Sequence, residues 1–155
     1  MPYRNTSIEI KIQKQLDTIG IRYITDVRSL EGRPDILIEN TKTIIFADGC
    51  MWHQCSLCGF YTNAIGTQFE GYGDSIELHD LEVTRYLANE GYKVIRIWEH
   101  HIRKSEFSIT GYLNELKISR QVDNAFLEKR INEILEYTAK LAREEINKKL
   151  LFKVQ

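Results

Sequence analysis

The order of apolar patterns along the chain predicts an α/β fold in one domain. Three observations carry this. Residues Thr6 to Gly20 repeat apolar side chains at helical spacing, and the isoleucine-rich runs between Ile21 and Ala47, with another at Val94 to Trp98, read as short strands bounded by turn residues. Beyond Ser105, apolar positions again recur at helical spacing and end in one long helix. At 155 residues the chain is long enough for a sizeable core, and no stretch has the composition of a linker, so a single domain, 1–155, is expected.

The balance of 21 Lys+Arg against 22 Asp+Glu gives no support for general polyanion binding, although a locally basic face needs no basic average. No apolar run approaches the length of a membrane span, and no charged-then-apolar leader opens the chain. An intracellular, cytoplasmic protein without membrane contact is expected.

In the first helix Ile8, Ile12, Leu16 and Ile19 share a face, Thr6 or Ser7 caps it, Glu9 lies in its first turn and Gly20 ends it. A glutamate there is ordinarily a favourable dipole partner. Ile21 to Ile24 reads as a short strand, Asp26 to Pro34 as a connection, and Asp35 to Ile38 and Thr43 to Ala47 as a hairpin turning at Asn40. Ile44, Phe46 and Asp48 should share one face. An antiparallel hairpin would bring Asp35 and Asp48 to one rim, where hard oxygen ligands suit Mg²⁺ and where two carboxylates repel unless a divalent ion compensates. Pro34-Asp35 and Asp48-Gly49 are also ordinary ways to begin and end strands.

Only three cysteines occur, Cys50, Cys55 and Cys58, a clustering that fits metal ligation better than a disulfide framework. The spacing is found in structural zinc sites, but a fourth ligand must come from elsewhere in the chain; three ordinary buried thiols are the competing reading. His53, between the first two, is a further candidate ligand. From Gly59 to Asp80 the chain is rich in Gly, Tyr, Asn and acid, with no Lys or Arg, and reads as a long loop. Asp80 then opens a helix through Leu81, Thr84, Leu87 and Ala88 to the stop at Asn89-Glu90-Gly91. Val94 to Trp98 alternates as a strand. Leu113, Leu116 and Ile118, then Phe126, Leu127, Ile131, Ile134, Leu135, Leu141, Ala142, Ile146, Leu150 and Leu151, predict helices, and the mixed charges from Glu128 to Lys153 make the outer face of the last one a solvated one.

Gly32-Arg33-Pro34-Asp35, two strands, and Gly49-Cys50-x-Trp52-His53 with Cys55 resemble the very-short-patch repair (Vsr) endonucleases of the PD-(D/E)xK nuclease superfamily. Ser7-Ile8-Glu9 upstream and Asp80 and Val94-Ile95-Arg96-Ile97-Trp98-Glu99 downstream extend the likeness over about residues 6–104, leaving 105–155 as a helical extension. The resemblance implies a restriction-endonuclease-like core with a central mixed β-sheet flanked by helices, a structural zinc site and a phosphodiester hydrolase that nicks double-stranded DNA. It implies catalytic Mg²⁺ on Asp35 and the Ala47 backbone carbonyl, joined here by Asp48, which stands where the group uses a histidine. His53 would assist proton transfer, Asp80 would orient it, and Glu9 would sit beside the catalytic aspartate. Met51 and Trp52 would wedge into the base stack, with Met51 replacing a phenylalanine, and Arg33 would approach the DNA. For Zn²⁺ the set is Cys50, Cys55, Cys58 and His100, permuted relative to the group but of the same composition. A DNA methyltransferase or repair proteins and a nucleoid setting are the associated partners and location, while oligomeric state stays open. A restriction or homing-type endonuclease, or a zinc-stabilised DNA-binding protein disabled by Asp48, are the alternatives. The 59–80 segment lacks the basic residues the group carries there, so mismatch or site specificity does not transfer.

Overall fold

The computed structural model describes residues 5–114 and 124–153. Leu116 and Ile118 lie outside the described residues, as do the side chains of Phe126 and Leu127. Helix α1 spans Ser7–Thr18 and buries Ile8, Ile12 and Leu16, one side chain per turn. It ends in a Schellman arrangement: Gly20 has φ 74°, Gly20 N–H donates to the Asp17 carbonyl and Ile21 N–H to the Leu16 carbonyl. Ile19 falls past this end and is exposed, so the expected apolar face stops at Leu16.

Four strands form one mixed sheet in the order β1-β2-β3-β4: β1 Ile24–Thr25, β2 Ile36–Ile38, β3 Thr43–Asp48 and β4 Lys93–Trp98. β1–β2 and β2–β3 are antiparallel, and β3–β4 is parallel with Asp48 opposite Trp98. The first strand pairs later than its apolar run suggested. Ile21 to Tyr23 lead up to it, and Tyr23 donates its hydroxyl to Asp17 instead.

Alternation along the strands splits the core in two. Ile36, Ile38, Ile45, Ile95 and Ile97 pack on α1 and on the short helices α3 (Glu99–Ile102) and α4 (Ile109–Leu113). Leu37, Ile44, Phe46 and Val94 pack on Val83 and Leu87 of helix α2 (Tyr72–Asn89). Burying each such aliphatic side chain contributes about 1.5–3 kcal/mol, so the sheet is held from both faces.

Helix α2, Tyr72–Asn89, connects β3 to its parallel neighbour β4, as parallel pairing requires. It starts a full two turns before the expected Asp80, which is therefore a mid-helix residue and not an N-terminal acid. Asp74 takes that first-turn place, tied by Tyr61 and Asn63. The 59–80 loop accordingly ends at Gly71. Gly32 lies against this helix with φ 73°, and a Cβ there would sit 2.4 Å from Val83 Cγ1. Helix α5, Asn124–Lys153, packs on α2 through Ile131, Ile134 and a bidentate Arg130–Glu77 pair. No helix among the described residues is long and apolar enough to cross a membrane.

Candidate active site and metal centre

The β2–β3 hairpin carries Asp35 and Asp48 to one cleft of about 420 Å³, shared with Glu9, Trp52, His53 and Asp80. Asp35 precedes β2, and its Oδ2 accepts the Ala47 N–H of β3 at 2.8 Å. The N–H and C=O of one strand residue point the same way, so the Ala47 carbonyl lies on Asp35's side. The expected oxygen pair is thus adjacent.

Asp48 is 1% exposed and turns inward on the α2 face of the sheet, beside Phe46. Its Oδ2 accepts from Arg96 Nε at 2.9 Å and its Oδ1 from Arg96 Nη2 at 3.1 Å. The same Nη2 donates to Asp80 Oδ1 at 3.0 Å, and Nη1 donates to Thr84 Oγ1 at 3.2 Å and the Asp80 carbonyl at 3.3 Å. All five guanidinium N–H donors are used, with the guanidinium carbon 4.3 Å from the Phe46 ring centroid. Burial alone would lower the arginine's pKa, and the carboxylates of Asp48 and Asp80 outweigh it and hold it above the usual value. Arg96 thus gives Asp48 a protein cation as partner, while Asp48, His53 and Asp80 also stand close enough together to hold a metal ion.

His53 sits in the turn after β3, its N–H donating to the Gly49 carbonyl. Its Nδ1 is 2.8 Å from Asp80 Oδ2 and its Nε2 is 3.6 Å from Asp48 Oδ1. His53, Asp48, Arg96 and Asp80 so close a ring. Burial works to lower the imidazole's pKa, but the Asp80 hydrogen bond and the two carboxylate charges outweigh it and raise the pKa. Glu9 is buried at the cleft edge, where its oxygens accept from the Thr6 hydroxyl at 2.9 Å and the Asn5 N–H at 2.8 Å. Arg33, at φ 50°, lines the cleft and pairs with Asp26, whose carboxyl it holds down at about 2. Trp52 lines the cleft and is 53% exposed, and its neighbour Met51 is 51% exposed.

A second cluster joins Cys50, Cys55 and Cys58 to His100, whose ligand atoms all lie within 4.8 Å of one another and could hold a metal ion. His100 Nδ1 is 3.3 Å from Cys50 Sγ, 3.7 Å from Cys55 Sγ and 3.4 Å from Cys58 Sγ. The parallel pairing of β3 and β4 produces this: both strands leave the sheet side by side, one into the cysteine turn and the other into α3. Glu99 Oε2 accepts the Cys50 N–H at 3.0 Å, and Trp98 stacks on the His100 ring. Burial pushes the Cys50 thiol up to about 12, a state that a bound cation would reverse.

Arg96 is the buried charge at this cleft that pattern reading passed over. Its signal was present: an arginine inside an apolar strand, in register with Phe46 and two residues from Asp48's level on the neighbouring strand, needs an acid to share its face.

Residues 2–58 match the family model for DNA mismatch endonuclease Vsr. Over 105 residues the chain is 31% identical to the DNA mismatch endonuclease Vsr of Escherichia coli (strain K12), an overlap covering 66% of this chain and 67% of that protein. It is 30% identical over 105 residues to the Type II nicking enzyme V.NmeDIP of Neisseria meningitidis serogroup C, covering 66% and 70%. To the Type II nicking enzyme V.NaeI of Lentzea aerocolonigenes it is 33% identical over 105 residues, covering 61% and 60%. With these overlaps running through the hairpin, the cysteine turn and α2, the chain belongs to the Vsr endonuclease family.

Proposed function

We propose that this endodeoxyribonuclease is Mg²⁺-dependent, nicks one strand of duplex DNA, and is braced by a structural Zn²⁺. The observation that carries the proposal is the meeting of Asp35, His53 and Asp80 in one cleft beside the exposed Trp52. The Asp35 carboxylate and the Ala47 carbonyl are hard oxygen donors, the type Mg²⁺ selects, and would hold it. When bound there it supplies Lewis acidity toward a phosphoryl oxygen and a lowered pKa for water. Asp80 accepts the Nδ1 proton of His53, which leaves Nε2 to exchange a proton at the phosphate. Glu9, which lines the same cleft as Asp35, orders the cleft wall through its bonds to Thr6 and Asn5. The exposure of Trp52 at the cleft and of Met51 beside it supports their entering the base stack and unstacking a step, while Arg33, which lines the cleft, would meet phosphate.

For Zn²⁺ the donor chemistry and spacing both fit. Zn–S and Zn–N bonds of about 2.3 and 2.0 Å at tetrahedral angles set S···N separations of about 3.5 Å. The three sulfur-to-Nδ1 distances, 3.3, 3.4 and 3.7 Å, bracket that value.

The test is a nicking assay on matched and mismatched duplexes with and without Mg²⁺, alongside Asp35→Ala. Nicking by the wild type that needs the metal, and its loss in Asp35→Ala with DNA binding within about threefold, is the expected result. Cleavage by Asp35→Ala at the wild-type rate would sink the site assignment. Cleavage of both strands would favour a restriction-type enzyme on the same scaffold.

A further inference from the structure

We propose that Arg96 is the positioning residue of this active site: its guanidinium, shared between Asp48 and Asp80, withdraws Asp48 from the metal's ligand set and fixes the carboxylate that holds His53. The proposal rests on the nuclease function proposed for the cleft, and it assigns parts within it.

Arg96 cannot act on DNA directly. It is 5% exposed, and its five donors are spent on Asp48, Asp80 and Thr84. What it can do is set geometry. Nη2 touches both acids, so the position of Asp80 Oδ1 is tied to that of Asp48 Oδ1 through one nitrogen. Asp80's other oxygen is the one that meets His53 Nδ1. Thr84, one turn along α2, accepts from Nη1 and donates to the Asp80 carbonyl at 2.8 Å, which locks the helix turn to the same guanidinium. A planar fork with fixed donor directions does this, and a lysine's point charge does not.

The consequence for Asp48 follows from the same bonds. Both of its oxygens accept from Arg96, it is almost wholly buried, and Oδ1 also lies 3.6 Å from His53 Nε2. Its charge is spent on the protein side of the cleft. Asp48, expected as a second metal ligand, becomes instead the anchor for the residue that positions Asp80. Asp35 is left as the carboxylate for the ion.

The experiment compares wild type, Arg96→Lys and Asp48→Asn on a duplex that the wild type nicks, with circular-dichroism melting to confirm folding. The Nδ1–H proton resonance of His53 is recorded by NMR on protein with ¹⁵N-labelled histidine. Arg96→Lys is expected to fold, to lose about a hundredfold in kcat with KM within about threefold, and to lose the protected Nδ1–H resonance. Asp48→Asn is expected to leave the half-saturating Mg²⁺ concentration within about twofold of wild type, whatever its rate. Arg96→Lys with wild-type kcat and an intact resonance would overturn the proposal. So would a rise in KM alone, which would mean that Arg96 meets DNA, or a tenfold or larger shift in Mg²⁺ half-saturation for Asp48→Asn, roughly 1.4 kcal/mol of lost ligation. If Arg96→Lys does not fold, Asp48→Asn/Arg96→Gln removes the Asp48–Arg96 charge pair together and carries the same readouts. Failure of the nuclease function looks different: Asp35→Ala would then cleave like wild type while the His53 resonance stayed where it was.

Discussion

His100→Ala tests the metal centre most directly, because His100 is the one ligand that comes from across the sheet. The two apolar clusters pack without help from the metal, so its loss should lower stability and not abolish the fold. With free zinc at one hundred times its Kd, linkage contributes about 2.7 kcal/mol. A chain of this size shifts by about 2–4 °C per kcal/mol, so chelation of the wild type should lower Tm by roughly 5–11 °C. The substitution also removes an aromatic ring that stacks on Trp98 at 6.4 Å and meets His101 edge-on at 4.2 Å. Such contacts add about 0.5–1.5 kcal/mol, hence roughly 1–6 °C. A four-cornered thermal melt, wild type and His100→Ala each with and without chelator, separates the two contributions. In chelator the variants should differ only by the ring; in zinc they should differ by the ring and the metal together. Equal gaps in both conditions, or elemental analysis finding no zinc in the wild type, would refute the ligand set.

Asp80→Asn leaves His53 and a buried guanidinium facing a neutral amide, so it should cost about 3 kcal/mol or roughly 6–12 °C in Tm, and lower kcat by at least about tenfold. A melt and rate equal to wild type would show that the ring is ornamental. Trp52→Ala should leave Tm nearly unchanged, since the side chain is half exposed, yet weaken binding to the cleaved duplex by about 5- to 150-fold, the range expected for one lost base stack; unaltered binding would rule out the wedge. His53's folded pKa lies above its ordinary 6.5, so its contribution to stability is complete below pH 6.5 and fades as pH rises through the folded value. Denaturant titrations across that window should show the slope in wild type and lose it in His53→Ala, and an identical slope in both would contradict the assignment. Zinc retention should weaken in acid, as protons compete for the thiols, of which Cys50 is already pushed up to about 12.

Much of the arrangement was legible where one physical signal dominated. Helix α1 and the hairpin followed from apolar periodicity and turn residues, and the cysteine spacing pointed to a fourth ligand that the parallel strands then supplied. The start of α2 was not, because its buried face mixes Val83 and Leu87 with Asp74, Asp80 and Thr84. An apolar stripe interrupted by acids reads as loop, although those acids are buried precisely because they have partners: Tyr61 and Asn63 for one, Arg96 and His53 for the other. The pairing of Asp48 with Arg96 was not legible for a related reason. A carboxylate's need for a cation is visible in a sequence, but which cation answers depends on the strand beside it.

That dependence has a bearing on how the protein is made. The ring around His53 is assembled from β3, the turn after it, the middle of α2 and β4, and the metal cluster waits on the residue two places beyond β4. A ribosome that has reached residue 95 has already delivered Asp35, Asp48, His53, Asp80 and every cysteine. It has delivered neither the guanidinium that meets Asp48 and Asp80 nor the imidazole that meets the cysteines, so neither cluster can close before the sheet's last strand has been made.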